Sequence, residues 1–182
     1  MLRVFRAAMI TALIAALPLG ASSQEMQGGG MTGGMSGGAG CTQTAVLPLV
    51  QQIFGSYAIA QHGAGHATGK TVGGDMWTAS VVGCRFMRPA EMLFFESTFT
   101  NKASKIFDDS KHSMVPRENG SVHLAEAPGH VIAYDGGAIV DVRWILLRDG
   151  ASNPAVPGSA LEPLAMALLC THDMTKSAVT SC

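Results

Sequence analysis

The stretch SVHLAEAPGHVIAYDGGAIVDVRWILL, residues 121–147, decides the fold class of this chain. It contains three runs rich in β-branched, aromatic and aliphatic residues, at 121–127, 130–135 and 138–147. The Asp-Gly-Gly sequence between the last two runs accepts the positive φ angles of a tight hairpin turn. In the last run, Asp141 and Arg143 alternate with apolar residues. The stretch therefore predicts antiparallel strands with one buried face and one half-polar face.

Outward from this stretch, hydrophobic periodicity predicts two more strands and three helices. The strands are 76–87 and 92–99, and the helices are 45–54, 101–111 and 159–170. Thr44, Asn101 and Ser159 with Glu162 are the predicted helix caps. Residues 55–75 are punctuated by glycine and lack a period, which predicts a loop. The sum is an α+β fold: an antiparallel sheet of about five strands with N-terminal, middle and C-terminal helices packed on it.

The first 23 residues have the pattern of a cleavable signal peptide. Arg3 and Arg6 precede an apolar run over 7–19, and small residues follow the run. A run of about 13 residues is shorter than the roughly 20 that a membrane-spanning helix needs. We therefore expect a periplasmic or secreted protein with no stable membrane insertion after cleavage.

The mature chain divides into a leader and one domain. Residues 24–40 are rich in glycine and methionine and offer little apolar surface, which predicts a disordered leader. Residues 41–182 are the size of a single domain. The four cysteines, Cys41, Cys84, Cys170 and Cys182, predict two disulfides in an oxidising compartment. Of the three possible pairings we favour Cys41–Cys84 with Cys170–Cys182, because the second would hold the polar tail against the last helix.

The order of these elements resembles the small secreted PsbP/Mog1-like α/β domains. The likeness covers residues 41–170 and consists of an early cysteine before a helix, Cys84 in the first strand (GCRF, 83–86), a middle helix, a strand hairpin and a closing helix. The resemblance implies a ligand-binding or accessory role, and it carries over no functional residue.

Composition argues against nucleic acid as a partner. Twelve Lys and Arg residues face 13 Asp and Glu residues, and no run of basic residues occurs. Binding to phosphate backbones needs a basic face. The expected partner is therefore an unknown protein or small ligand.

Two groups of side chains suggest metal binding. Met26, Met31 and Met35 lie in the leader, and thioethers are soft ligands that suit Cu(I). His62 and His66 would present two imidazoles to one ion if this segment were helical, although its glycines disfavour a helix. These residues support the alternative of a periplasmic copper- or zinc-binding protein.

No catalytic motif is present in the predicted domain: the sequence has no H-E-x-x-H helix, and its one literal G-x-S-x-G match, GMSGG at 34–38, lies in the predicted disordered leader. A site assembled only in the fold, for example from Glu91, Glu96, Asp141 and a histidine, is a further alternative and would make the protein a small secreted hydrolase. Such a site needs a pocket with convergent polar groups. The interpretation that the sequence favours is an exported, soluble, non-catalytic binding or accessory domain without a cofactor, which uses the polar face of the sheet or the 55–75 segment.

Overall fold

A computed structural model describes residues 46–173 of the 182-residue chain. Three helices and seven named strands follow one another in the order α1 (Leu47–Phe54), β1 (Ala58–Lys70), β2 (Met76–Arg88), β3 (Glu91–Phe99), α2 (Ala103–Ser110), β4 (Val115–Asn119), β5 (Val122–Ala127), β6 (His130–Asp135), β7 (Ala138–Leu146) and α3 (Glu162–Asp173). A short 3₁₀ turn, Gly158–Ala160, precedes α3. The predicted signal peptide, the leader and the end of the chain lie outside the described residues.

All seven strands form one antiparallel sheet in the order β1-β2-β3-β7-β6-β5-β4. The α+β class and the antiparallel pairing are thus confirmed. Because β3 lies beside β7, the N-terminal and C-terminal halves of the sheet join in its middle through a pairing that is distant in sequence. The polar positions of β3 and β7 are therefore neighbours.

The prediction of about five strands is wrong, because both edge strands were missed. Residues 58–70, predicted as part of a loop, form β1 and pair with β2 along the whole hairpin. Residues 115–119 form β4, in which every residue is exposed. Neither strand buries a regular row of apolar side chains, so both are held mainly by backbone hydrogen bonds. Backbone hydrogen bonds do not require a hydrophobic period, and the sequence therefore shows none for these strands.

One face of the sheet carries the main core. Alternate residues of β2, β3, β5, β6 and β7 point to this face and pack against α1 and α3. Phe54 at the end of α1 meets Trp144 of β7 edge to face, with ring centroids 5.0 Å apart. Arg88 lies over both rings and donates a 2.6 Å hydrogen bond to the Phe54 carbonyl. Full burial of these aromatic side chains supplies much of the hydrophobic stabilisation of the domain.

The other face is only partly covered. Helix α2 packs there on β6 and β7 through a smaller cluster in which Phe107 meets Ala125, Ile132 and Ile139. Phe107 also contacts the ring of Tyr134, at a centroid distance of 5.7 Å. An eight-residue helix cannot span a seven-stranded sheet. Polar side chains of β3 and β7 on this face therefore border a recess beside α2.

The helix ends differ from the predicted caps. Thr44 lies outside the described residues, and α2 begins after Lys102, with no side-chain cap, instead of at Asn101. Ser159 lies in the 3₁₀ turn, and Glu162 does not complete a capping box with it. The Glu162 carboxylate instead accepts a 3.1 Å hydrogen bond from the Asn119 amide and pairs with Arg117. It therefore ties the start of α3 to the edge strand β4.

Gly129, in the turn between β5 and β6, is required by close backbone packing. Its φ angle is +67°, and an added Cβ would lie 2.6 Å from both the nitrogen and the oxygen of Asn153. Its amide donates a 2.6 Å hydrogen bond to the Val156 carbonyl, and its carbonyl accepts one of 2.8 Å from the Trp144 amide. This junction fixes the segment before α3 against the sheet.

Candidate functional site

A cavity of about 200 Å³ opens on the partly covered face, between α2 and the sheet. We call it the α2 pocket. Strands β3, β6 and β7 form its floor, α2 forms one wall, and the start of β2 contributes an indole ring. Its lining residues are Trp77, Glu96, Thr98, Ile106, Ser110, Ile132, Ile139 and Asp141. The pocket therefore combines aliphatic and aromatic walls with two carboxyl groups.

Trp77 reaches the pocket because the β1-β2 hairpin is longer than its neighbour β3. Ser80 of β2 pairs with Phe99, the last residue of β3, so Met76–Ala79 extend past that strand. The extending part retains its pairing with β1, in which Gly69 lies opposite Trp77. A Cβ on Gly69 would lie 2.3 Å from Cζ2 of the indole, so the ring lies directly against the glycine. A larger residue at position 69 would displace the ring.

The tip of this hairpin is fixed to α2. The Lys105 ammonium pairs with the Asp75 carboxylate. The Val72 amide donates a 2.8 Å hydrogen bond to Oδ2 of Asp109. The hydrogen bond and charge of Lys105 hold the pKa of Asp75 below its usual range. These two contacts join the wall that contains Trp77 to the wall formed by α2.

The two carboxyl groups of the pocket come from adjacent strands. Glu96 of β3 and Asp141 of β7 are direct cross-strand partners, so their side chains project from the same face of the sheet. Such partners have Cβ atoms roughly 5 Å apart, close enough for the two charges to repel each other. The pKa of each group is displaced from its ordinary value, in opposite directions.

Asp141 is held as a carboxylate by its neighbours. Arg143 donates from Nε to Oδ1 at 2.9 Å and from a terminal nitrogen to Oδ2 at 2.6 Å, and Nε2 of His130 lies 3.0 Å from Oδ1. Burial alone would raise the pKa of Asp141, but the hydrogen bonds from His130 and Arg143 outweigh burial and lower it. Both oxygens are thus engaged, and the charge of Asp141 is balanced within the protein.

Glu96 has a different environment. Burial, and secondly the charge of Asp141, raise its pKa above the ordinary value of 4.5, while a hydrogen bond from Thr98 and the charge of Arg143 act weakly in the opposite direction. The Thr98 hydroxyl is 3.4 Å from Oε1, which is a long hydrogen bond. Glu96 therefore retains acceptor capacity and is the carboxyl group of this pocket that can take a proton or an external donor.

The backbone of residues 62–66 does not have the helical spacing on which the suggested histidine pair depends. His62 and His66 lie in β1, where four residues of extended chain separate their Cα atoms by about 13 Å, compared with about 6 Å along a helix. Met26, Met31 and Met35 lie outside the described residues. Among the side chains that the structure describes, which do not include those of residues 61–62 and 171–173, no group of three His, Cys, Asp or Glu residues is arranged to hold a metal ion.

The four residues suggested for an assembled catalytic site are only partly brought together. Glu96, Asp141 and His130 are neighbours, as that hypothesis requires. Glu91 instead points to the main-core face, where it pairs with Arg88 and accepts a 3.0 Å hydrogen bond from Asn153.

Sequence reasoning did not identify several residues of the α2 pocket. The hydrophobic pattern does not separate Trp77, Ile106 and Ile132 from core residues, and nothing in the sequence distinguishes His130 from the other histidines. The available signal was the alternation of Asp141 and Arg143 with apolar residues in β7. That alternation indicates that β7 has a polar face, but it does not indicate which strand lies beside β7.

The cysteine framework is described only in part. Cys84 is buried in β2, Cys170 lies in α3, and neither is a free thiol. Cys41 and Cys182 lie outside the described residues, so the two disulfides and their pairing stay a prediction. Within residues 46–173, no helix is both long and apolar enough to cross a membrane.

Comparison of the chain with protein-family models, with characterised proteins and with solved structures finds no match. The resemblance to PsbP/Mog1-like domains is neither supported nor contradicted by this result. The candidate site is therefore argued from its own geometry.

Proposed function

We propose that this chain is an exported domain, periplasmic or secreted, that binds a small ligand in the α2 pocket. The observation that carries the proposal is the convergence of Glu96 and Asp141 on a cavity whose other lining residues are Trp77, three isoleucines and two hydroxyl residues. A concave, mostly apolar site with a few placed polar groups is the usual form of a small-molecule site. Export is supported by the signal-like sequence of residues 1–23.

The size of the pocket limits the ligand. A volume of about 200 Å³ accommodates roughly seven to ten non-hydrogen atoms, since a water molecule takes up about 30 Å³ of liquid. This is below the range of roughly 300–1,000 Å³ for drug-sized ligands. The expected ligand is a small metabolite-sized molecule or one side chain of a larger partner.

The proposal is tested by a fragment screen in which ligand binding is observed by NMR. Ser110→Trp places a bulky ring at the wall of the pocket, and Ser104→Trp is the matched control on an exposed position of the same helix. We expect fragments that bind the wild type and the Ser104→Trp variant but not the Ser110→Trp variant. If no fragment shows this pattern, the α2 pocket is not a ligand site.

Acid catalysis is a second candidate, favoured by one observation. The environments of Glu96 and Asp141 displace their pKa values in opposite directions, which is how many hydrolases assign one acid and one ionised carboxylate. Against it, Arg143 and His130 engage both oxygens of Asp141. If the protein hydrolyses small glycosides or esters and the Glu96→Gln variant does not, acid catalysis by Glu96 is supported. If the variant hydrolyses them at an unchanged rate, acid catalysis by Glu96 is excluded.

A further inference from the structure

We propose that the α2 pocket selects a small organic ammonium ion, whose charge is met by the Glu96 carboxylate and whose apolar part packs against Trp77 and the isoleucine walls. This inference rests on the proposed binding function and names its ligand class. It follows from the balance of charge in the pocket, the unused acceptor capacity of Glu96 and the chemistry of the walls.

Of the two carboxylates that line the pocket, only Asp141 has a cation paired with it. Asp141 and Arg143 form a bidentate pair, and His130 adds a further contact to Asp141. On α2, the Lys105 ammonium is taken up by Asp75 at the hairpin tip. Lys111, also beside α2, pairs with Asp108 at 2.6 Å and lies over the Phe107 ring. Asp141 is matched by Arg143, so ionised Glu96 carries the one unmatched negative charge among the groups that line the pocket.

Glu96 is also short of hydrogen-bond donors. An ionised carboxylate offers about four lone-pair sites. Among the described residues, the hydrogen bond that Glu96 accepts comes from the Thr98 hydroxyl, at the long distance of 3.4 Å. An ammonium group supplies up to three N–H donors on a compact positive charge, and charge-assisted hydrogen bonds of this kind are stronger than neutral ones. It would also offset the repulsion between Glu96 and Asp141.

The walls favour an organic cation over an inorganic one. Ile106, Ile132 and Ile139 offer no oxygen or nitrogen ligands to a metal ion. They can accept an alkyl or aryl body, and its burial is favourable in proportion to its apolar area. The indole of Trp77 adds a surface to which organic cations are attracted. A primary amine with an apolar group of six or seven carbons meets all of these conditions.

The test compares three ligands of nearly equal shape: benzylamine, benzyl alcohol and benzoate. Their affinities for the full mature chain are measured at pH 7.5 by calorimetry, for wild type, Glu96→Gln and Glu118→Gln. Glu118 lies in the exposed edge strand β4 and provides a matched control for the substitution. We expect wild type to bind benzylamine roughly tenfold or more tightly than benzyl alcohol, and benzoate the least. Glu96→Gln should reduce the preference for benzylamine to near onefold, and Glu118→Gln should retain it.

The other outcomes separate this inference from the binding function. A preference for benzyl alcohol or benzoate, or a benzylamine preference that survives Glu96→Gln, overturns the ammonium proposal. If none of the three binds while the fragment screen finds ligands excluded by Ser110→Trp, the ammonium proposal is also wrong and the binding function stands. If that screen finds none, both are wrong.

Discussion

Replacing Glu96 by glutamine should stabilise the fold at neutral pH even though it removes a proposed binding group. Burial raises the pKa of Glu96, and the neighbouring charge of Asp141 raises it further. A carboxyl group whose pKa is higher in the folded state is more costly to ionise there than in the unfolded chain. Glutamine has nearly the same shape, can accept the same hydrogen bond from Thr98, and carries no charge.

The sign and size of the effect follow from this difference. Below the ordinary pKa of 4.5, Glu96 is protonated in both states and the substitution should change the free energy of unfolding little. Above the folded-state pKa, the cost of ionising the buried group is fully present. Because Glu96 is only half-buried, we expect a gain of about 0.5–1 kcal/mol at pH 7.5 after allowance for solvent screening.

The assay is urea unfolding at pH 3.5 and pH 7.5, followed by circular dichroism and by tryptophan fluorescence, whose coincidence checks two-state behaviour. Glu118→Gln, on the exposed strand β4, is the control and should change the free energy of unfolding little at either pH. An equal effect of Glu96→Gln at both pH values, or a loss of stability at pH 7.5, would refute the electrostatic description of this carboxyl group.

Two further substitutions test the packing and the charge network. Gly129→Ala should lower the free energy of unfolding by about 3 kcal/mol, because it adds a backbone clash to the penalty for a positive φ. The control Gly120→Ala has a similar φ of +62° and open space around it, and should lower the free energy of unfolding by only about 1 kcal/mol. Equal losses for the two variants in thermal or urea unfolding would contradict the close approach of Gly129 to Asn153. Asp141→Asn should lower the free energy of unfolding by about 2–3 kcal/mol at pH 7, because Arg143 and His130 lose the carboxylate that they contact. This loss should become smaller as pH falls through the lowered folded-state pKa of Asp141. A loss of the same size at every pH in urea unfolding would argue against the ion pair.

The interior of the sheet was predictable from sequence, and its edges were not. Strands β2, β3, β5, β6 and β7 contain alternating or continuous apolar residues because they bury at least one face. The edge strand β1 reads AIAQHGAGHATGK, in which glycine, alanine and polar residues hide the strand period. Its pairing with β2 is made by backbone groups, which every sequence provides. Sheet edges of this kind carry little sequence signal.

The candidate site was predictable only in its separate parts. Alternation in β7 placed Asp141 and Arg143 on a polar face, and Glu96 was recognisable as a charged residue inside a hydrophobic strand. The sequence does not indicate that β3 lies beside β7, where Glu96 pairs with Asp141, 45 positions later in the chain (141 − 96). Burial raises the pKa of Glu96 most, and the charge of Asp141 on the adjacent strand raises it further, whereas hydrogen bonds from His130 and Arg143 lower the pKa of Asp141.

The position of Trp77 connects the glycine-rich edge strand to the proposed function. Beyond the end of β3, the hairpin has lost one sheet neighbour, and its tip contacts α2 through Asp75 and Val72. Only a residue without a side chain at position 69 lets the indole lie flat against β1 on the pocket side. Gly69, which contributes no side chain to β1, therefore makes room for an aromatic wall in the pocket that Glu96 also lines. Because Trp77 lies outside the main core, we expect substitutions at this wall to change the proposed ligand selectivity without disturbing the packing of α1 and α3.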